Sequence, residues 1–79
     1  IIVKIPLNPD LLKEISNESK NNFDTFLNGM SRKYNIIILD YTSSYSNFYF
    51  YDGHHLNANG KKTFSRNLGL EVIRIIGEV

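Results

Sequence analysis

The stretch Ile36-Ile37-Ile38-Leu39-Asp40 sets four aliphatic side chains in a row and closes them with a carboxylate. A half-exposed strand alternates apolar and polar residues, because successive side chains point to opposite faces. Unbroken apolarity of this length instead suits a strand covered on both faces, the habit of parallel sheets. A second such run, Ile1-Ile2-Val3-Lys4-Ile5, opens the chain, is closed by Pro6, and also reads as a strand. Helical sequence lies between them. Asn8 can cap, Pro9 suits the first helical position, and Asp10 complements the helix dipole. Leu11, Leu12 and Ile15 share a face, and Ser16-Asn17-Glu18 interrupts or restarts the helix. Phe23, Phe26, Leu27 and Met30 then follow at the spacing of a buried helical stripe, which is expected to be core.

Downstream of the central run, residues 42–51 are polar and aromatic without a helical period and read as a loop. From Ala58 the pattern is helical again, with Phe64, Leu68, Val72 and Ile75 or Ile76 along one side and Asn57 as the N-cap. The order is strand, helix, strand, loop, helix, and a right-handed crossover sets the two strands side by side and parallel. Two strands are too few for a parallel sheet that expects helices on both faces. The expected architecture is therefore α/β, a βαβα fragment of a flavodoxin-like doubly wound parallel sheet. Residues 1–79 would form the C-terminal part of one such domain, its N-terminal part absent, and a start at Ile1 rather than Met agrees with that expectation.

Composition narrows the function classes. Seventy-nine residues allow one small domain, only marginally stable without help. There is no cysteine, so no disulfide framework or thiolate metal site can form, and the compartment stays open. A net charge of +1 gives no electrostatic footprint for nucleic acid, and Lys61, Lys62, Arg66 and Arg74 are spread out rather than massed. No apolar run has transmembrane length and no signal-peptide pattern is present.

The chemistry is concentrated in FYFYDGHHLNANG, residues 48–60. Asp52 and His55 lie three residues apart in a loop leading into the last helix, a spacing that a turn can close into a hydrogen bond. A histidine acting as general base needs such a carboxylate to fix its tautomer and stabilise its protonated form. Gly53 permits a tight backbone, and Gly60, one turn into the helix, allows close approach. The competing reading is an ordinary polar turn in which Asp52 caps the following segment and His55 is exposed. His54 beside His55 invites a metal reading with Asp52, but adjacent side chains in an extended segment point apart, and no metal or cofactor is expected. The run Phe48-Tyr49-Phe50-Tyr51, with Tyr45 nearby, either stacks on sugars or lines an acyl pocket, or packs alternate rings onto the core. The packing reading is the simpler. Asp40 is expected to satisfy loop amides.

The pattern Asp52-x-x-His55-Leu56-Asn57-x-x-Gly60 resembles the C-terminal catalytic signature of the SGNH, or GDSL-like, hydrolases, serine esterases and acyltransferases. The resemblance spans the whole chain but only the back half of that family's domain. It implies Asp52 as orienting acid, His55 as general base, Leu56 as loop anchor and Asn57 as helix cap. It implies an ester substrate, such as an O-acyl group on a carbohydrate. The family's Gly-Asp-Ser segment and its oxyanion-hole segments do not appear. Ser16, Ser19, Ser31, Ser43, Ser44, Ser46 and Ser65 all lack a nucleophile context. The nucleophile is expected upstream, and these 79 residues alone are expected to be inactive. The alternative is a non-catalytic interaction or scaffold module of the same fold. Unpaired strand edges are expected to favour self-association.

Overall fold

The computed structural model describes residues 1–77. Strand β1 (Ile2–Lys4) and strand β2 (Ile38–Asp40) pair in parallel, with Ile2 opposite Ile38, Val3 opposite Leu39 and Lys4 opposite Asp40. Both strands are shorter than their apolar runs. Pro6 has no N–H to extend the first. The Asp40 carboxylate ends the second by accepting the Thr42 N–H at 2.9 Å.

Three helices follow from their caps. Asn8 Oδ1 accepts the Asp10 N–H at 3.0 Å and starts α1 (Pro9–Leu12), a single turn. Ser16 Oγ accepts the Ser19 N–H at 3.1 Å and starts α2 (Asn17–Tyr34), so Ser16-Asn17-Glu18 restarts the helix rather than interrupting it. Asn35 closes α2 in the left-handed conformation, φ 55° and ψ 47°, which asparagine tolerates better than most residues. Asn57 Oδ1 accepts the Gly60 N–H at 2.8 Å and starts α3 (Ala58–Gly77). A 3-10 turn at Asn47–Tyr49 interrupts the expected loop.

This architecture overturns the expected fold class. Among the described residues the sheet has two strands of three residues each, and the helices carry most of the chain. The protein is not a flavodoxin-like doubly wound βαβα fold. The local signals for strand, crossover and helix hold, but two short strands cannot build the central layer such a fold requires. The molecule is instead flat, 36 × 32 × 12 Å, with a radius of gyration of 13.9 Å. A compact chain of this length would have a radius of about 12 Å.

The core is correspondingly thin. Leu27, Tyr45, Phe50 and Ile75 are its buried hydrophobic residues, and no large side chain among those described is fully enclosed. The expected core stripe of α2 is corrected here: Leu27 is buried, but Phe23 is 53% and Phe26 62% exposed. In α3 the stripe holds, with Phe64, Leu68 and Val72 half-buried and Ile75 buried, while Ile76 is exposed. Lys4 ties β1 to α2 through Asp24 at 2.6 Å and to β2 through Asp40 at 3.2 Å. Asp40 therefore serves one loop amide, that of Thr42, and an ion pair. No described helix is long and apolar enough to cross a membrane.

Candidate active site

An aromatic cluster fixes the loop that carries the motif. Phe64 of α3 meets Tyr41 edge-on at 5.2 Å between ring centroids and Tyr45 at 6.2 Å. Tyr45 meets Tyr49 at 5.5 Å, and its hydroxyl accepts a hydrogen bond from Asn67 Nδ2 at 2.8 Å. Edge-to-face pairs of this kind add to the area they bury, and a buried phenol needs its partner. The aromatic run does not alternate. Phe50 is buried and Tyr49 half-buried, while Phe48 and Tyr51 are exposed, because the 3-10 turn breaks the two-residue period of an extended strand.

Beyond the cluster the chain doubles back. Phe50 bridges Leu56 in antiparallel fashion and the Tyr51 N–H donates to the His55 carbonyl at 3.1 Å. Asn57 then fastens the returning segment, its N–H to the Tyr49 carbonyl at 2.9 Å and its Nδ2 to the Phe48 carbonyl at 2.7 Å. Leu56 is half-buried, consistent with an anchor. Gly60 is buried where α3 passes this turn, and a Cβ there would overlap the Tyr49 carbonyl oxygen and crowd Leu56. Only glycine fits.

At the tip of the loop the two predicted site residues meet. Asp52 Oδ2 lies 2.7 Å from His55 Nδ1, while Asp52 Oδ1 accepts the His54 N–H at 3.0 Å and the His55 N–H at 2.8 Å. The carboxylate thus folds the turn with one oxygen and orients the imidazole with the other. These bonds hold the Asp52 carboxyl down to about 2, chiefly through the His54 amide, against a smaller opposing effect of desolvation and with further help from the His55 ring and amide. It is an acceptor throughout the physiological range. The Nδ1–H tautomer that this acceptor selects leaves Nε2 to take a proton.

The tip is open to solvent, with the Asp52 and His55 side chains 42% and 52% exposed. Tyr51 stacks parallel to the His55 ring, 10° between planes and 5.7 Å between centroids. His54 does not diverge as an extended segment would require. The bend brings its ring to 4.1 Å from that of His55. Asp52, His54 and His55 each place a ligand-capable atom within 4.8 Å of the others. Within this group Asp52 Oδ2 and His55 Nδ1 are already bonded to each other, which is the geometry of a carboxylate that orients an imidazole.

The chain matches no protein-family model, no curated protein and no solved structure. The chemistry of the site therefore rests on its own geometry.

Sequence reasoning missed two contacts of the site: the stacking of Tyr51, named only as part of the aromatic run, on His55, and the reach of Asn8 to the loop. Tyr51 sits beside His55 only because the Phe50–Leu56 bridge pairs the two arms of the loop. An aromatic residue four positions before a histidine, across a glycine turn, was the available signal. Asn8, read only as a helix cap, also reaches the loop: its N–H donates to the Gly53 carbonyl at 3.1 Å and its Nδ2 to the Asp52 carbonyl at 3.4 Å. Nothing local in the sequence connects residues so far apart.

Proposed function

We propose that this chain carries the acid–base half of a serine esterase or O-acyltransferase site, as the C-terminal portion of an SGNH-type hydrolase. The observation that supports it is the 2.7 Å contact of Asp52 Oδ2 with His55 Nδ1, made by a carboxylate already fixed by two backbone amides. In this reading Asp52 orients His55, and His55 Nε2 accepts the proton of a serine hydroxyl as its oxygen bonds to the ester carbonyl carbon. The same proton then passes to the departing alkoxide as the ester C–O bond breaks. The nucleophile lies outside these residues. An O-acyl group on a carbohydrate suits the exposed ring of Tyr51 beside the base, because sugars stack on aromatic faces.

The second reading is a non-catalytic interaction module. It is favoured by one observation: Asp52 Oδ1 accepts the His54 and His55 N–H groups and His55 is exposed, which is all that an ordinary polar turn requires. A fluorophosphonate probe separates the two. In the full-length protein with its native flanking sequence, a single serine is labelled, mass spectrometry maps it, and His55→Ala abolishes the labelling. A folded protein that takes no label overturns the enzyme reading and leaves the module.

A further inference from the structure

Asn8 is the buried polar residue of the described chain, 9% exposed, and every polar atom it owns is used. Its carbonyl accepts the Leu11 and Leu12 N–H groups at 3.0 and 3.1 Å, and Oδ1 accepts from Asp10. Those bonds belong to α1, a helix of four residues that gains little from so complete a cap. Its two donors point elsewhere. The backbone N–H and the side-chain amide bind the consecutive carbonyls of Gly53 and Asp52, the peptide units on which the acid–base pair is built. Leu11 supports the same junction, its side chain 3.5 Å from where a Cβ of Gly53 would stand.

The choice of residue is informative. Ser, Thr, Asp and Asn all cap helices, but asparagine alone among them offers an acceptor and an amide donor on one rigid planar group. Only it can cap α1 and hold the loop together. The far arm of the loop is fastened by Asn57 in the same manner, through the Phe48 and Tyr49 carbonyls. Between these two anchor points the tip is exposed, and its remaining bonds are made within the loop itself.

We propose that Asn8 is a positioning residue for the Asp52–His55 pair, clamping the Asp52–Gly53 backbone so that the carboxylate meets both the amides and the imidazole. It touches no reacting atom. Its effect on turnover rests on the acyl-transfer reading, whereas its effect on the geometry of the pair does not.

Asn8→Ser is the discriminating variant, because serine keeps the cap and the net charge but cannot reach the Asp52 carbonyl. Carbon-detected NMR titration of the Asp52 carboxyl, with the His55 Nδ1–H resonance, reads the pair directly. In Asn8→Ser the carboxyl midpoint is expected to rise from about 2 toward the ordinary 3.8, and the Nδ1–H resonance to broaden, in a protein that still melts cooperatively. Asn8→Ala should shift both signals likewise and also lower the melting temperature. Unchanged titration and resonance in folded Asn8→Ser overturn the proposal. The native protein gives a check independent of any variant: a slowed exchange of the Asn8 side-chain amide supports the clamp, and exchange at the rate of free asparagine overturns it. In the full-length protein Asn8→Ser should lower kcat roughly tenfold with KM little changed. If the native full-length protein takes no fluorophosphonate label, the enzyme reading fails while the NMR result stands or falls by itself.

Discussion

Helices α2 and α3 are similar in length, 18 and 20 residues, and both carry an apolar stripe, yet they are used differently. α3 lies on the aromatic loop, buries Gly60 and Ile75, and contributes Phe64 and Asn67 to the Tyr41–Tyr45–Tyr49 cluster. α2 buries Leu27, leaves Phe23 and Phe26 half or more exposed, and is tied to β1 by the Lys4–Asp24 ion pair. The same periodic signal thus produced a packed face in one helix and a bare one in the other. An apolar stripe says which side of a helix seeks cover, and it does not supply the cover. Stability and the candidate site are expected to reside together on the α3 side.

Substitutions should expose this imbalance. Gly60→Ala is the most severe test, since the new methyl would overlap a backbone carbonyl; a loss of about 3 kcal/mol is expected in urea denaturation. Phe50→Ala, at a buried position, should cost a comparable amount, about 3 kcal/mol. Asn57→Ala removes the α3 cap and the bond to the Phe48 carbonyl, for a loss of about 2 kcal/mol. On the other helix Phe26→Ser should change stability by no more than about 0.5 kcal/mol. A cost there equal to that of Phe50→Ala would abolish the distinction between the helices.

The bare side carries its own expectation. Ile5, Phe23, Phe26 and Ile37 are all exposed, and a sheet of two strands leaves β1 and β2 each with an unpaired edge. Sedimentation of the isolated chain should show concentration-dependent association with a second copy, weakened by Phe26→Ser. A monomer at high micromolar concentration would mean that these surfaces are tolerated in water.

The smallest effects are set by pH, and they sharpen the comparison because the two sides titrate at opposite ends. The Asp52 carboxyl is depressed from its ordinary 3.8 to about 2, so the folded state binds this proton less readily than the unfolded state. Its contribution is present above pH 3.8 and disappears as the pH falls through about 2. The Lys4 ammonium is raised above its ordinary 10.5, first by the Asp24 hydrogen bond, against the opposing effect of burial. Its contribution is present below 10.5 and is lost as the pH climbs through the folded value. Amide shifts of His54 and His55 should follow the acid step, and those of β1 and α2 the alkaline one.

Much of this was legible in the residues. Asn8-Pro9-Asp10 and Asn57 marked two helix starts because capping is local chemistry, whereas Ser16-Asn17-Glu18 left interruption and restart open, and Asp52-x-x-His55 marked the pair because a turn of that spacing closes on itself. The parallel pairing of β1 with β2 also followed from the order of elements. The failures were non-local. Four aliphatic residues at 36–39 imply a strand buried on both faces only if layers exist to bury it, and Ile37 is 46% exposed. The proximity of His54 to His55 and the reach of Asn8 to Asp52 depend on a bend and a long-range contact that no spacing rule contains.

The flatness of the molecule has a calorimetric consequence. The heat capacity gained on unfolding comes from apolar surface newly exposed to water, and a slab only 12 Å thick has little such surface left to expose. Its melt should be broad and its stability curve shallow against temperature. Denaturant should act on it with a low slope for a chain of this length.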